Sequence, residues 1–252
     1  MIDTHCHIMD PPLDADFASH CAEARDAGVS GLFCVSTTFQ KWQPLLEHRS
    51  EILEILPESR FFLGFHPWFL TDETLSGCLE LEKLMDEIDG LGEIGLDRTD
   101  RASDFNLQME IMENELALAA RYNKPCLVHV VKSHDAMLGF VRKYPSVRGV
   151  IHSFSGSREE AVKYTDNGWK LGAGFGITRP TAQKLHKLMA FMGSEHFVIE
   201  TDSPWVKPWG YEAIASYPKM LADLVVPMAE IFQLSPQDFM QKITENARMI
   251  FK

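Results

Sequence analysis

IDTHCH, residues 2–7, is the stretch whose reading decides the fold. It is a short strand-like run that ends in two imidazoles one residue apart, His5 and His7. Working outward from it, short apolar runs recur at 31–36, 61–66, 91–96, 125–130, 149–154, 169–175 and 197–201. Their starts lie 29, 30, 30, 34, 24, 20 and 28 residues apart. Most gaps carry an amphipathic helical pattern. The clearest is 107–121, where Leu107, Ile111, Met112, Leu116, Leu118 and Ala119 follow a 3.6 spacing. Another helix opens at Ser157 with Glu160 three residues on, a capping box, and Gly168 is placed to end it. Gly28 stops the first helix. Strand–helix alternation requires a parallel sheet, because each crossover needs a dozen or more residues. Eight such units in 252 residues predict a closed (β/α)8 barrel, one α/β domain over residues 1–252, with a doubly wound open sheet as the alternative.

Size and composition agree with one large core. A 28.6 kDa chain scales to roughly 11,300 Å² of exposed surface when folded. Hydrophobic residues make up 45% and charged residues 24%, which excludes disorder and fibrous repeats. No apolar run approaches a membrane span, and the first residues lack the basic-then-apolar pattern of a secretory signal. The five cysteines (Cys6, Cys21, Cys34, Cys78, Cys126) are scattered without a CxxC pair, so a reducing cytoplasm is expected. A net charge of −12 argues against a stable nucleic-acid complex and against anionic membranes. A substrate, whether phosphodiester, DNA or small molecule, is therefore expected to bind only transiently.

Strands buried on both faces should be apolar throughout, so their polar exceptions are informative. His5 and His7 end the first run, His66 the third, and Glu93 lies within the fourth. His129 falls late in the fifth run, His152 in the sixth, and Asp202 directly after the eighth. In a barrel these positions share one rim, the C-terminal mouth where chemistry is housed. Strand alternation turns His5 and His7 to the interior and Cys6 away from it, as a packed thiol. One strand histidine is ordinarily a hydrogen-bonded core residue. Six ligand-type side chains on five strands are not explained that way, because burying each without a partner costs several kcal/mol. With Asp202, His5 and His7 suit one ion. His129 and His152 suit a second, and the two oxygens of Glu93 suit a bridge between them. Imidazole with carboxylate favours zinc, manganese, iron or nickel, with magnesium the least suited to so many histidines.

These residues also carry a family likeness. DTHCH (3–7), GFHP (64–67), GEIGLD (92–97), VH (128–129), HSFSG (152–156) and ETDSP (200–204) together resemble the TatD-type metal-dependent hydrolases. The segment 244–251, with Asn246, resembles that family's C-terminal helix. The resemblance covers essentially the whole chain. It implies a TIM barrel holding two divalent metal ions, with Glu93 shared between a His5–His7–Asp202 set and a His129–His152 set. It also implies that His66 touches a substrate phosphate. Deoxyribonucleases acting on phosphodiesters belong to the family. Two departures stand out: Val131 occupies a position where an arginine is usual, with Lys132 following, and Arg98 replaces an aromatic.

The expected reaction is phosphodiester hydrolysis by a metal-bridging hydroxide. Metal coordination can lower a water pKa from 15.7 to about 7. Asp202 would then take or orient its proton, and His66 would stabilise charge on the phosphoryl oxygen. Asp3, Asp97 and Glu200 are candidate partners behind the ligand imidazoles. Lys132 and Trp205 are candidate substrate contacts, and Trp68 and Trp209 should ring the same mouth. Hydrolysis of a small-molecule amide, lactone or ester is the alternative activity, and a non-catalytic metal-binding scaffold the third reading. Two motifs are set aside. GLGEIG (90–95) spells GxGxxG but opens no helix, and the consecutive Ser133, His134 and Asp135 cannot form a relay.

Overall fold

A computed structural model describes residues 1–252 and shows the expected barrel. Its strands are β1 (Ile2–Cys6), β2 (Gly31–Val35), β3 (Arg60–Leu63), β4 (Gly90–Asp97), β5 (Cys126–Val131), β6 (Gly149–Ile151), β7 (Lys170–Ala173) and β8 (Phe197–Ile199). They pair in parallel in sequence order. At the seam between β8 and β1, His7 N–H donates to the Ser203 carbonyl (2.8 Å) and Asp202 N–H to the His5 carbonyl (2.9 Å). Lower in the seam the bonds run through side chains: Thr4 Oγ1 donates to the Ile199 carbonyl, and the Asp3 carboxylate accepts from Thr201 N–H and Oγ1–H. The exposed area is 11454 Å², close to the value its mass implies.

Helices coat the barrel, and a continuous core of 59 buried residues lies between them and the strands. Cys6 belongs to this outer core. The helix expected at 107–121 runs Phe105–Tyr122 and is capped by Asp104, whose carboxylate accepts from Asn106 and Leu107 N–H. The Ser157–Glu160 capping box opens the helix Arg158–Asp166. A last helix, Pro236–Met249, closes the bottom, where Asn246 donates to the carbonyls of Ser194 and Phe197.

The barrel interior has two levels. Its floor is an apolar cluster of Ile2, Phe33, Val35, Phe62, Leu127, Val150 and Val198, closed from below by Ala247 and Ile250. Above it, on the same strands, stand the polar residues. Simple alternation takes Leu127 to His129 and Val150 to His152, all inward. On β1 alternation alone would not do so, since Ile2 and His5 have opposite parity. A register shift between Asp3 and Cys6 inserts one extra residue there and re-aims His5 inward. A second shift, between Leu91 and Ile94, surrounds Glu93.

Most of the observed strands are shorter than the apolar runs, β4 and β5 excepted. Regular pairing ends before His7, His66, His152 and Asp202, which stand just past their strands. Beyond β5, β6 and β8 the chain turns through left-handed backbone, at Lys132 (φ 52°), Ser153 (φ 47°) and Asp202 (φ 53°). That conformation costs a non-glycine residue roughly 1–2 kcal/mol.

Candidate metal centre

The rim residues singled out in the sequence meet around one carboxylate. Glu93 Oε2 lies 3.3 Å from His5 Nε2 and 3.3 Å from His7 Nε2. Glu93 Oε1 lies 3.4 Å from His66 Nε2, 3.2 Å from His129 Nδ1 and 3.8 Å from His152 Nε2. Asp202 Oδ1 approaches His7 Nε2 at 3.4 Å and His5 Nε2 at 3.9 Å, while its Oδ2 is 3.7 Å from His152 Nε2. All but Asp202 are buried.

The donor set fits divalent cations. Bonds of 2.0–2.2 Å place neighbouring ligand atoms about 3.0–3.5 Å apart, which is the spacing at which His5 and His7 face Glu93 Oε2 and His129 faces Glu93 Oε1. Both ring nitrogens of His5 are buried without a hydrogen-bond partner. A buried orphan of this kind is costly unless something else satisfies it. The resident group would be an ion held by His5, His7, Glu93 and Asp202, with further donors from His129 and His152.

Two hydrogen bonds and one ion-pair contact orient three of the rings. Trp68 N–H donates to His66 Nδ1 (3.1 Å), so neutral His66 carries its proton on Nε2 and is a donor towards the cavity. His129 Nε2 faces Asp97 Oδ2 at 3.1 Å, which leaves Nδ1 free to face Glu93. His152 Nδ1 lies 3.0 Å from the Glu200 carboxylate, an ion-pair contact that directs Nε2 towards Glu93 and Asp202. Asp97 and Glu200 thus stand behind ligand-type imidazoles. Asp3 does not. Its carboxylate serves Thr201 and the His5 backbone N–H in the seam and reaches no imidazole ring. The reason is parity: the residue shift in β1 turns His5 inward while Asp3 faces β8.

The charge pattern matches this assembly. Burial alone would lower the His7 pKa, but its bonds to Asp202 and Glu93 outweigh burial and raise it to about 9. Burial also opposes protonation of His152, which the charges of Glu200 and Asp202 nonetheless raise to about 10. Burial, reinforced by the stacked His152 ring at 3.8 Å, lowers His5. Burial likewise lowers His66. Although burial opposes it, the surrounding imidazoles hold Glu93 well below the usual carboxylate range and Asp202 below it.

A cavity of about 220 Å³ opens onto this cluster. Its wall includes Trp68, Phe69 and Trp205, together with Asp10, Thr37 and Lys41. Lys132 is not part of that wall, contrary to its candidacy as a substrate contact. The left-handed turn at its backbone carries the side chain out to solvent, and its carbonyl accepts from Arg98. Arg98 itself is held by Asp135 and lies over the Phe105 ring. The cavity's lysine is Lys41, bound to Asp10 at 2.5 Å, and Asp10 also accepts from Trp205 Nε1 at 3.2 Å. Sequence reading missed Asp10, Thr37 and Lys41. Asp10 and Thr37 sit in the loops after β1 and β2 and Lys41 in the first turn of the helix Phe39–Glu47, and the polar Ser36-Thr37 end of the second run was the available signal.

A barrel whose C-terminal mouth gathers imidazoles and carboxylates in this way is the architecture of a metal-dependent hydrolase. The chain belongs to the TatD related DNase family, whose family model matches residues 2–252. It is 27% identical over 255 residues to the metal-dependent hydrolase YjjV of Escherichia coli K12, covering 99% of this chain and 97% of that one. The crystal structure of YjjV superposes with a TM-score of 0.91 at 26% identity, covering 100% and 97%. A metal-dependent hydrolase of Haemophilus influenzae is 31% identical over 262 residues (99% and 98% covered). The 3'-5' ssDNA/RNA exonuclease TatD of Pantoea vagans is 25% identical over 262 residues (100% and 99% covered).

Proposed function

We propose that this hydrolase cleaves phosphodiesters, acting as a deoxyribonuclease with two divalent ions at the mouth. The carrying observation is the division of Glu93: one oxygen faces His5 and His7, the other faces His66, His129 and His152. The free nitrogens of His129 and His152 make them the second set of ligands, while the donor tautomer of His66 suits it to a substrate oxygen. Bound divalent ions supply Lewis acidity and a water activated near neutral pH. Asp202 stands beside both imidazole sets with the freedom to accept a proton, because the surrounding imidazoles keep it ionised. His66 Nε2–H is aimed into the cavity to stabilise charge on a phosphoryl oxygen. Trp68, Phe69 and Trp205 flank the entrance as stacking surfaces for a terminal base.

One observation favours a small-molecule ester or lactone instead: no cation stands at Val131, and the cavity at the cluster is small. Metal-matched assays on a nucleotide phosphodiester and on a lactone and amide panel decide between them. The phosphodiesterase reading expects turnover of the diester, lost on chelation and restored by divalent ions. Full activity in verified metal-free protein, or turnover of the panel without the diester, overturns it.

A further inference from the structure

The rim is electrically lopsided. Trp205 is shared between the wall of the metal cavity and a groove of about 500 Å³ that also includes Arg179, Lys207, Trp209 and Tyr211. Thr181 in turn is shared between that groove and a third one of about 560 Å³ containing Arg158, Lys184 and Lys187. The three depressions therefore form one path from the metal cluster across the loops that follow β6, β7 and β8. No carboxylate lines the two outer grooves. In a chain with 36 acids against 24 bases, five cations together with no acid is a marked departure.

Those cations are also uncommitted. Arg98, Arg121, Lys143, Lys219 and Arg248 elsewhere on the surface each pair with a carboxylate. None of Arg158, Arg179, Lys184, Lys187 and Lys207 does. Lys207 donates to the Ala213 carbonyl, and Arg158 lies over the Phe191 ring. Aromatic faces are interleaved with the charges. Trp205 is 59% exposed and Trp209 65%, beside the half-open Tyr211. Large exposed aromatics alternating with unpaired cations are what a flexible polyanion with planar bases requires.

The opposite flank has the reverse character. There Phe69 is shared between the metal cavity and a depression of about 440 Å³ bearing Glu73 and Glu80 and no cation. A polyanion leaving the metal cluster is attracted in one direction and repelled in the other.

We infer that the Trp205–Trp209–Arg179–Lys184–Arg158 path is a track for a single nucleic-acid strand whose terminal ester lies at the metal cluster. The inference rests on the phosphodiesterase reading and adds to it a direction and a set of contacts. The narrow cavity admits one strand end, and the track holds the phosphates behind it. Neutralising up to five phosphates gives a salt slope of about −3.5 at most, at roughly 0.7 per phosphate of single strand.

The test is kcat/KM of the metal-loaded enzyme on thymidine p-nitrophenyl phosphodiester and on oligothymidylates of two to ten nucleotides. The track predicts at least a tenfold gain from dinucleotide to ten-mer, carried by KM and lost at high salt. Lys184 and Lys187 are exposed, so the reversal K184E/K187E preserves the fold, and it should cut the length gain at least fivefold. Arg179→Glu should act in the same direction. The opposite-flank reversal E73K/E80K should leave the gain within twofold. A length gain near one with the short diester still cleaved overturns the track alone, as does a gain unmoved by K184E/K187E. So does a gain raised by E73K/E80K as much as the first pair lowers it, or equal cleavage of duplex. Failure to cleave any diester overturns the phosphodiesterase reading and the track with it.

Discussion

The floor and the mouth of this barrel are built from the same strands and their ends, two to four residues apart, and they do opposite things. Phe62, Leu127, Val150 and Val198 fill the floor with apolar side chains that need no partner. His5, His7 and His152 stand at the mouth above them and leave four buried ring nitrogens without a hydrogen-bond partner. The floor can therefore supply stability that the mouth gives up. The mouth holds five imidazoles and two carboxylates, one of them Asp202 on left-handed backbone, all unfavourable for folding and useful for holding cations or substrate.

The sharpest way to break that comparison is to alter the two central carboxylates. Glu93→Gln and Asp202→Asn should each lower hydrolysis by about 10³-fold or more and deplete bound metal. Elemental analysis and steady-state kinetics check this. Thermal unfolding in a chelator should leave both variants at or above the parent Tm. A large loss of stability instead would mean that the mouth also supports the fold.

Next in size is the converse change. Phe62→Ala in the floor should cost about 3–5 kcal/mol, roughly a 10 °C fall in Tm for a chain of this length. Metal content per folded molecule should stay unchanged. Calorimetry with elemental analysis of the soluble fraction measures both.

Smaller effects are expected one layer behind the ligands. Asp97→Asn and Glu200→Gln should each weaken metal binding by about 10–100-fold, because the imidazoles they orient become less basic. Competition titration against a chromophoric chelator reads the loss. Asp3→Asn should move metal affinity little and stability more, since Asp3 serves the seam.

The gentlest probe is pH. A ligating imidazole must shed its proton, and His7 and His152 hold theirs up to about pH 9 and 10. Both are protonated at pH 7, so ion binding releases protons. Affinity should fall about tenfold per pH unit for each proton released as pH drops below 9. Calorimetric titration in buffers of different ionisation enthalpy counts those protons, and an affinity flat from pH 6 to 9 would contradict the assignment.

The amino-acid order alone determined the barrel, its eight strands and the ligand-type side chains at their ends. This was legible because a parallel strand buried on both faces tolerates polar residues only where chemistry or a partner compensates them. His5, His129 and Glu93 needed no coordinates to be singled out. Tertiary structure alone decided what each neighbour does. Asp3 belongs to the seam because a one-residue bulge reverses parity, which no periodicity reveals. Lys132 points to solvent because its backbone is left-handed, and Lys41 reaches the cavity from the helix after β2. The His129–Asp97 and His152–Glu200 contacts are likewise made between segments far apart in the chain. Local patterning fixes which face a side chain takes, but partners across loops are settled only when the chain closes on itself.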